Sequence, residues 1–283
     1  MRKGGAMLAM LLGLSSALVS TPARAEPPRR IVSLNLCADQ LLVALADRGQ
    51  IAGLTRLARD PAMSAVADQA RTLPVTRGDA EAVLGLRPDL VLLSPYGEGS
   101  GRAILKAQGV AMLDVPPAES LDAITAQIRL VARVVGHPDR GEALIRRMAR
   151  DLSAIPVPGG GMTAAYYQRR GYLTGTGTLV DEMIRRAGLR NTATVLGKPA
   201  LSRLSLEELV AARPDFLIVE SATDHPDDLG SEMLHHPALA GIARISLPQA
   251  WTVCGGPAFV RALRSLSDQV ARHRRASPVR SGR

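Results

Sequence analysis

The sequence predicts an α/β protein of two Rossmann-like lobes, each built on a parallel sheet, with a helical segment between them. Three observations carry this expectation. Short apolar strands alternate with helices in both halves of the 283-residue chain, the pattern of parallel sheets with right-handed crossovers. Residues 120–155 carry no strand signal and read as helix alone. A segment also recurs. Glu81-Ala-Val-Leu-Gly-Leu-Arg87-Pro88-Asp89-Leu-Val-Leu returns 126 residues later as Glu207-Glu-Leu-Val-Ala-Ala-Arg213-Pro214-Asp215-Phe-Leu-Ile, a spacing of one lobe.

The elements follow in order. Residues 1–25 have the three-part form of a secretory signal peptide: Arg2 and Lys3, an apolar run over 6–19, then Pro22 and Ala23-Arg24-Ala25 as the cleavage site. The mature chain then starts near Glu26 and is expected in the periplasm or outside the cell, where disulfides persist. No cysteine near that site offers a lipid anchor. The first lobe spans 29–119. Within it 30–34 reads as a strand, 38–46 as a helix with Asp39 in its first turn, and 51–55 as a strand. Residues 80–86 form a helix that must stop at Arg87, because the residue before a proline leaves the α region. Leu90-Val-Leu-Leu93 reads as a strand buried on both faces, 104–108 as a helix capped by Gly109, and 110–115 as a strand.

The connector spans 120–156, two helical stretches broken at Gly136-His137-Pro138. In the second, Leu144, Ile145, Met148 and Leu152 share one face and Arg146, Arg147 and Arg150 another. Pro156, Pro158 and Gly159 to Gly161 form a linker. Alternation resumes in the second lobe, 162–273, with elements at 163–167, 179–187, 206–212, 216–219 and a last helix over 257–273. A disordered basic tail is expected over 274–283.

Composition narrows the function. With 46% hydrophobic residues the chain is too apolar to be disordered, and with 2% aromatics its core is aliphatic. Of the formal charge of +9, three positive charges lie in the first 25 residues and five in the last twelve, so the body carries +1. That placement gives no basic surface for nucleic acid. The histidines are His137, His225, His235, His236 and His273, none in the first lobe, so a bare Zn or Mn site fed by both lobes is disfavoured. Gly175-Thr-Gly177-Thr precedes a helix but lacks a P-loop lysine, and no nucleophile sits in its usual local context. The chain is therefore read as a binding protein and not an enzyme; a periplasmic enzyme acting on a chelate or tetrapyrrole is the rival of another class.

Arg30-Ile-Val-Ser-Leu, Gly-Leu-Thr-Arg56, the Glu81 segment, 201–219, Leu234-His-His-Pro-Ala-Leu239 and Trp251 together resemble one family. It is the helical-backbone (class III) solute-binding proteins of ABC transporters, which capture ferric siderophores, haem or vitamin B12. The resemblance runs from about Arg29 to about His273. It implies two lobes joined by one long rigid helix, with the ligand in a cleft between them. It also implies delivery to a permease dimer in the inner membrane, by a chain that is itself a monomer and carries no cofactor. Glu81 and Glu207 match the family's two exposed docking acids, and two carboxylates on pseudo-symmetric lobes suit a two-fold partner.

Loops at the carboxyl ends of strands should line the cleft. They carry Asn35, Arg56 and Arg59, Tyr96, Tyr167 (or its neighbour Tyr166), Arg169, Arg170, Tyr172 and Trp251. Arginine forks suit the oxygens of an anionic chelate, and Tyr and Trp offer flat apolar faces. The scarcity of large aromatics tilts the expected ligand from a corrinoid or haem to a smaller ferric chelate. Cys37 and Cys254, the only cysteines, lie in segments that the resemblance brings to the cleft. A disulfide is expected between them, with two buried free thiols or thiolate ligation of a metal as the alternatives.

Overall fold

The computed structural model describes residues 26–97, 100–225 and 229–276; the expected signal peptide and positions 277–283 of the tail lie outside the described residues. The first lobe runs β1 (Ile31–Ser33), α1 (Leu36–Leu45), β2 (Ile51–Gly53), α2 (Ala67–Ala70), α3 (Ala80–Gly85), β3 (Leu90–Leu93), α4 (Ser100–Ala107) and β4 (Met112–Asp114). Its four strands pair in the order β2-β1-β3-β4, all parallel. The connector is α5 (Leu121–Val134) and α6 (Pro138–Ser153). It is thus a pair of helices and not one rod. Gly136 turns the chain at φ 87°, Pro138 opens α6, and the lack of a side chain at Gly141 lets α6 lie against Ala132 of α5.

The second lobe runs β5 (Thr163–Tyr167), β6 (Tyr172–Thr174), α7 (Leu179–Arg186), β7 (Arg190–Asn191), α8 (Thr192–Val195), β8 (Leu201–Arg203), α9 (Leu206–Ala212), β9 (Phe216–Glu220), α10 (Leu229–Glu232), β10 (Ala243–Leu247), α11 (Gln249–Thr252) and α12 (Ala258–Ala276). Arg274 and Arg275, expected in the tail, are the last turn of α12. The sheet order is β10-β9-β5-β6-β8, with β7 also on β5. This sheet is mixed, where sequence predicted a parallel one: β6 pairs antiparallel with both β5 and β8. The cause is a tight reversal after β5. Arg170 (φ 59°) and Gly171 (φ 76°) are both left-handed, and the Gln168 N–H donates to the Tyr172 carbonyl at 2.7 Å.

The sequence repeat is a repeat of structure. Arg87 and Arg213 each leave the α region as expected, into the left-handed one, with φ 47° and 46°. The aspartate two residues on then holds the first strand of its lobe. Asp89 accepts from the Arg29 N–H (2.6 Å) and the Arg30 N–H (3.0 Å), and Asp215 accepts from the Thr163 N–H (2.7 Å). In each lobe this sets the register of the central strand pair, Ile31 against Leu90 and Ala164 against Phe216.

The lobes share one apolar core. Ile31 and Leu92 of the first sheet, Ile128 and Met148 of the connector, Tyr166 and Ile218 of the second sheet and Leu266 of α12 belong to one continuous cluster. Smaller clusters cover the outer face of each sheet. Polar and covalent ties cross the same seam. Cys37 and Cys254 are disulfide-bonded, with Cα atoms 5.3 Å apart and 217 residues between them in sequence. Gly255 lies so close to the first lobe that a Cβ there would stand 2.2 Å from the Ala118 carbonyl oxygen. The Leu179 N–H at the start of α7 donates to Glu119 at 2.9 Å.

Asp39 is fully buried in the first turn of α1, where it accepts from the Thr55 N–H and hydroxyl. Burial pushes its carboxyl up to about 6, only partly offset by the Thr55 and Ser33 hydrogen bonds. A folded value above the unfolded one favours the fold most below pH 4, and that contribution is lost as pH rises through about 6. We expect Asp39→Asn to be more stable than the parent at pH 7.5 by about 2 kcal/mol, with the gap closing near pH 4. Thermal melts across that range check it; a gap that does not change with pH contradicts it. Gly255→Ala should cost about 1–3 kcal/mol, since the seam must part to admit the methyl group, read as a lower urea midpoint.

Candidate functional site: a cleft between the lobes

The carboxyl ends of strands from both sheets face one cavity of about 300 Å3. The first lobe supplies Cys37 after β1 and Pro117 to Glu119 after β4. The second supplies Tyr166 and Gln168 around the end of β5, Glu220 at the end of β9, Thr178 before α7, and Gln249 and Thr252 of α11. Leu201 and Val253 also line it and are 59% and 39% exposed, which gives the mouth apolar lips.

The polar floor is one linked set. The Tyr166 hydroxyl lies 3.2 Å from the Thr252 hydroxyl and 3.5 Å from Glu220. The Gln168 side-chain amide donates to Glu220 at 3.1 Å, and the Thr252 hydroxyl donates to the Gln249 carbonyl at 3.2 Å. Burial, and then the Glu220 charge, push the Tyr166 phenol well above its ordinary range, so it stays a neutral hydroxyl. Glu119 and Glu220 make the lining acidic. No arginine or lysine lines the cavity among the described residues.

The expected ligand residues are placed as follows. Tyr167 needs correction. Side chains alternate along a strand, so Tyr166 faces the cleft while Tyr167 packs in the outer cluster of the second sheet, its hydroxyl donating to the Leu204 carbonyl at 2.8 Å. Asn35 caps α1, accepting from the Cys37 and Ala38 N–H groups and donating to the Val115 carbonyl at 3.0 Å, so its amide is spent on the scaffold. Arg59 likewise donates to the carbonyls of Ala70 and Leu73. Arg56 is exposed in the turn after β2, and Tyr96 is 76% exposed in the loop after β3. Arg169 and Arg170 are exposed on the β5–β6 reversal. Tyr172 stacks under Arg203 at 5.4 Å. Trp251 is half-buried against the shared core under Arg261, next to Thr252 but not in the cavity wall. None of these nine residues lines the inter-lobe cavity. The residues missed were Glu119, Gln168, Glu220 and Thr252. Glu220, the last residue of β9, is within reach of the strand-end rule, whereas the others show no local signal.

A larger groove, about 760 Å3, lies within the first lobe beside Arg77, Glu81 and Arg102. Its arginines are committed to ion pairs, Arg77 with Asp79 and Arg102 with Asp114, and it takes nothing from the second lobe. Glu81 and Glu207 are both exposed at the second position of their helices, α3 and α9, one per lobe. The Glu207 carboxyl is held below its usual range, first by its own backbone N–H and then by Ser205, so it is ionised.

Comparison with known proteins matches this architecture. The vitamin B12-binding protein of Pectobacterium carotovorum is 23% identical over 272 residues, covering 92% of this chain and 94% of that one. The cobalamin-binding protein of Halobacterium salinarum is 25% identical over 213 residues, 73% of this chain; the match spans 58% of that longer relative. Among solved structures, the apo periplasmic haem-binding protein RhuT from Roseiflexus sp. RS-1 superposes with a TM-score of 0.68 at 28% identity, covering 86% of this chain and 97% of that one. The family described as periplasmic binding protein matches residues 31–244, and the chain belongs to that family.

Proposed function

We propose that this chain is the extracytoplasmic substrate-binding component of an ABC importer, and that it captures a corrinoid between its lobes. The cleft's charge carries the reading. Two carboxylates, Glu119 and Glu220, and no arginine or lysine in the lining among the described residues make it a poor host for an anionic ferric catecholate, the ligand the sequence favoured. A corrinoid is rimmed by neutral amides. These match the mixed donors and acceptors of Gln168, Gln249, Thr178 and Thr252, while Leu201 and Val253 offer apolar contact to the ring edge. Two relatives named for cobalamin or vitamin B12 support it. Haem is the second reading, favoured by the likeness to a haem-binding structure and by the Tyr166 hydroxyl in the floor. Its propionates would face the two glutamates unpaired. Glu81 and Glu207, one per lobe, are the acids we assign to docking on the permease.

Titration calorimetry with cyanocobalamin, haemin and a ferric catecholate separates the readings. We expect one-to-one binding of cyanocobalamin at micromolar Kd or tighter, with the ligand recovered unaltered. Tight binding of the ferric catecholate alone overturns the assignment. Glu81→Arg combined with Glu207→Arg should leave that Kd within about twofold and abolish uptake in cells, because surface charge far from a pocket acts on the partner. Loss of ligand affinity in the double variant would place these acids in the ligand's path and remove the docking role.

A further inference from the structure

A second cavity, of about 400 Å3, opens on the seam between the lobes and shares no lining residue with the cleft. Its walls come from α1 and the segment before α2, from α6 and from the start of α12. Leu144 and Met148 of α6 and Val260 of α12, all buried, give it an apolar floor.

Two of its polar groups are unspent among the described residues. Gln40 lines the cavity at 3% exposure, and its side-chain Nε2 is buried with no hydrogen-bond partner among the described residues. Buried polar atoms in folded proteins are almost all paired, so an unmet N–H marks a place where an acceptor is missing. Arg147, from the basic face of α6 seen in the sequence, is exposed at the rim and has no hydrogen bond or ion pair among the described residues. Arg261 spends one nitrogen on the Ala65 carbonyl (2.9 Å) and lies 5.5 Å from the Trp251 ring centre. Asp151, one turn beyond Arg147, is the single carboxylate of the lining among the described residues, which then carries one positive charge in excess.

We propose that this cavity is a second ligand site for a small organic acid with an apolar body. The carboxylate is received by Arg147 and the Gln40 amide, and the chain lies on Leu144, Met148 and Val260. Arg261 already bridges two walls of the cavity, so its contact with Trp251 senses what enters.

Octanoate is the probe, with octanol and octylamine as comparators of the same chain length. Trp251 is the only tryptophan, so its emission reports entry, and calorimetry gives the affinity. Octanoate should bind about tenfold more tightly than octanol, the ratio expected when a charge-assisted pair is added to the same apolar contact. It should also exceed octylamine, which Asp151 would prefer. Arg147→Met and Gln40→Met should each weaken octanoate about three- to tenfold and leave octanol unchanged. Gln40→Met should also raise the melting temperature, by removing the unmet donor. A merely structural Gln40 would move the melting temperature and leave octanoate affinity alone. The proposal fails if octanol or octylamine binds as well as octanoate, if no octanoate binds at millimolar concentration, or if both variants keep parental affinity. The cleft's ligand does not enter this test.

Discussion

The contact of Gly255 with Ala118, beside the Cys37–Cys254 bond, sets how the two lobes stand to one another. Cys37, Ala118 and Gly255 are also wall residues of the cleft, so the binding cavity takes its shape from the seam itself. A side chain at 255 or a cut bond at 37 changes the joint and the pocket together. The core beneath is continuous from Ile31 through Met148 to Leu266, which leaves no apolar-free plane along which the lobes would part cheaply. Large hinge closure, the usual device of two-lobed binders, has no hinge here that avoids breaking packed contacts.

Charge is sorted over this rigid body. The cleft floor holds Glu119 and Glu220, and the outer helix starts hold Glu81 and Glu207. Arg146, Arg147, Arg150, Arg261 and Arg264 are exposed on α6 and α12, the helices that close the seam.

Much of the fold was legible because its signals are local. The Arg-Pro-Asp stop fixes where α3 and α9 end, and it does so twice with the same backbone angle at Arg87 and Arg213. The buried runs at Leu90–Leu93 and Phe216–Glu220 declare central strands by composition alone. What stayed hidden depends on partners far along the chain. The reversal at Arg170-Gly171 turns β6 against the other strands of the second sheet, and an arginine gives no warning of a left-handed backbone. Which of Tyr166 and Tyr167 faces the cleft follows from which face of β5 meets the shared core, information that adjacent tyrosines do not contain. Loop arginines and aromatics are the side chains a sequence marks for ligand contact, because such groups carry much binding energy. In the fold Arg59 goes to backbone carbonyls, and the cleft is lined by the less conspicuous Gln168, Glu220 and Thr252.

The shared core has a consequence for how the chain is made. Leu263, Leu266 and Val270 of α12 pack in the same cluster as Ile31 and Leu42 of the first lobe. Neither half can therefore seal its apolar interior until the final helix arrives. Loss of α12 would therefore bare apolar surface in both lobes at once, so the two halves depend on one helix for their interiors.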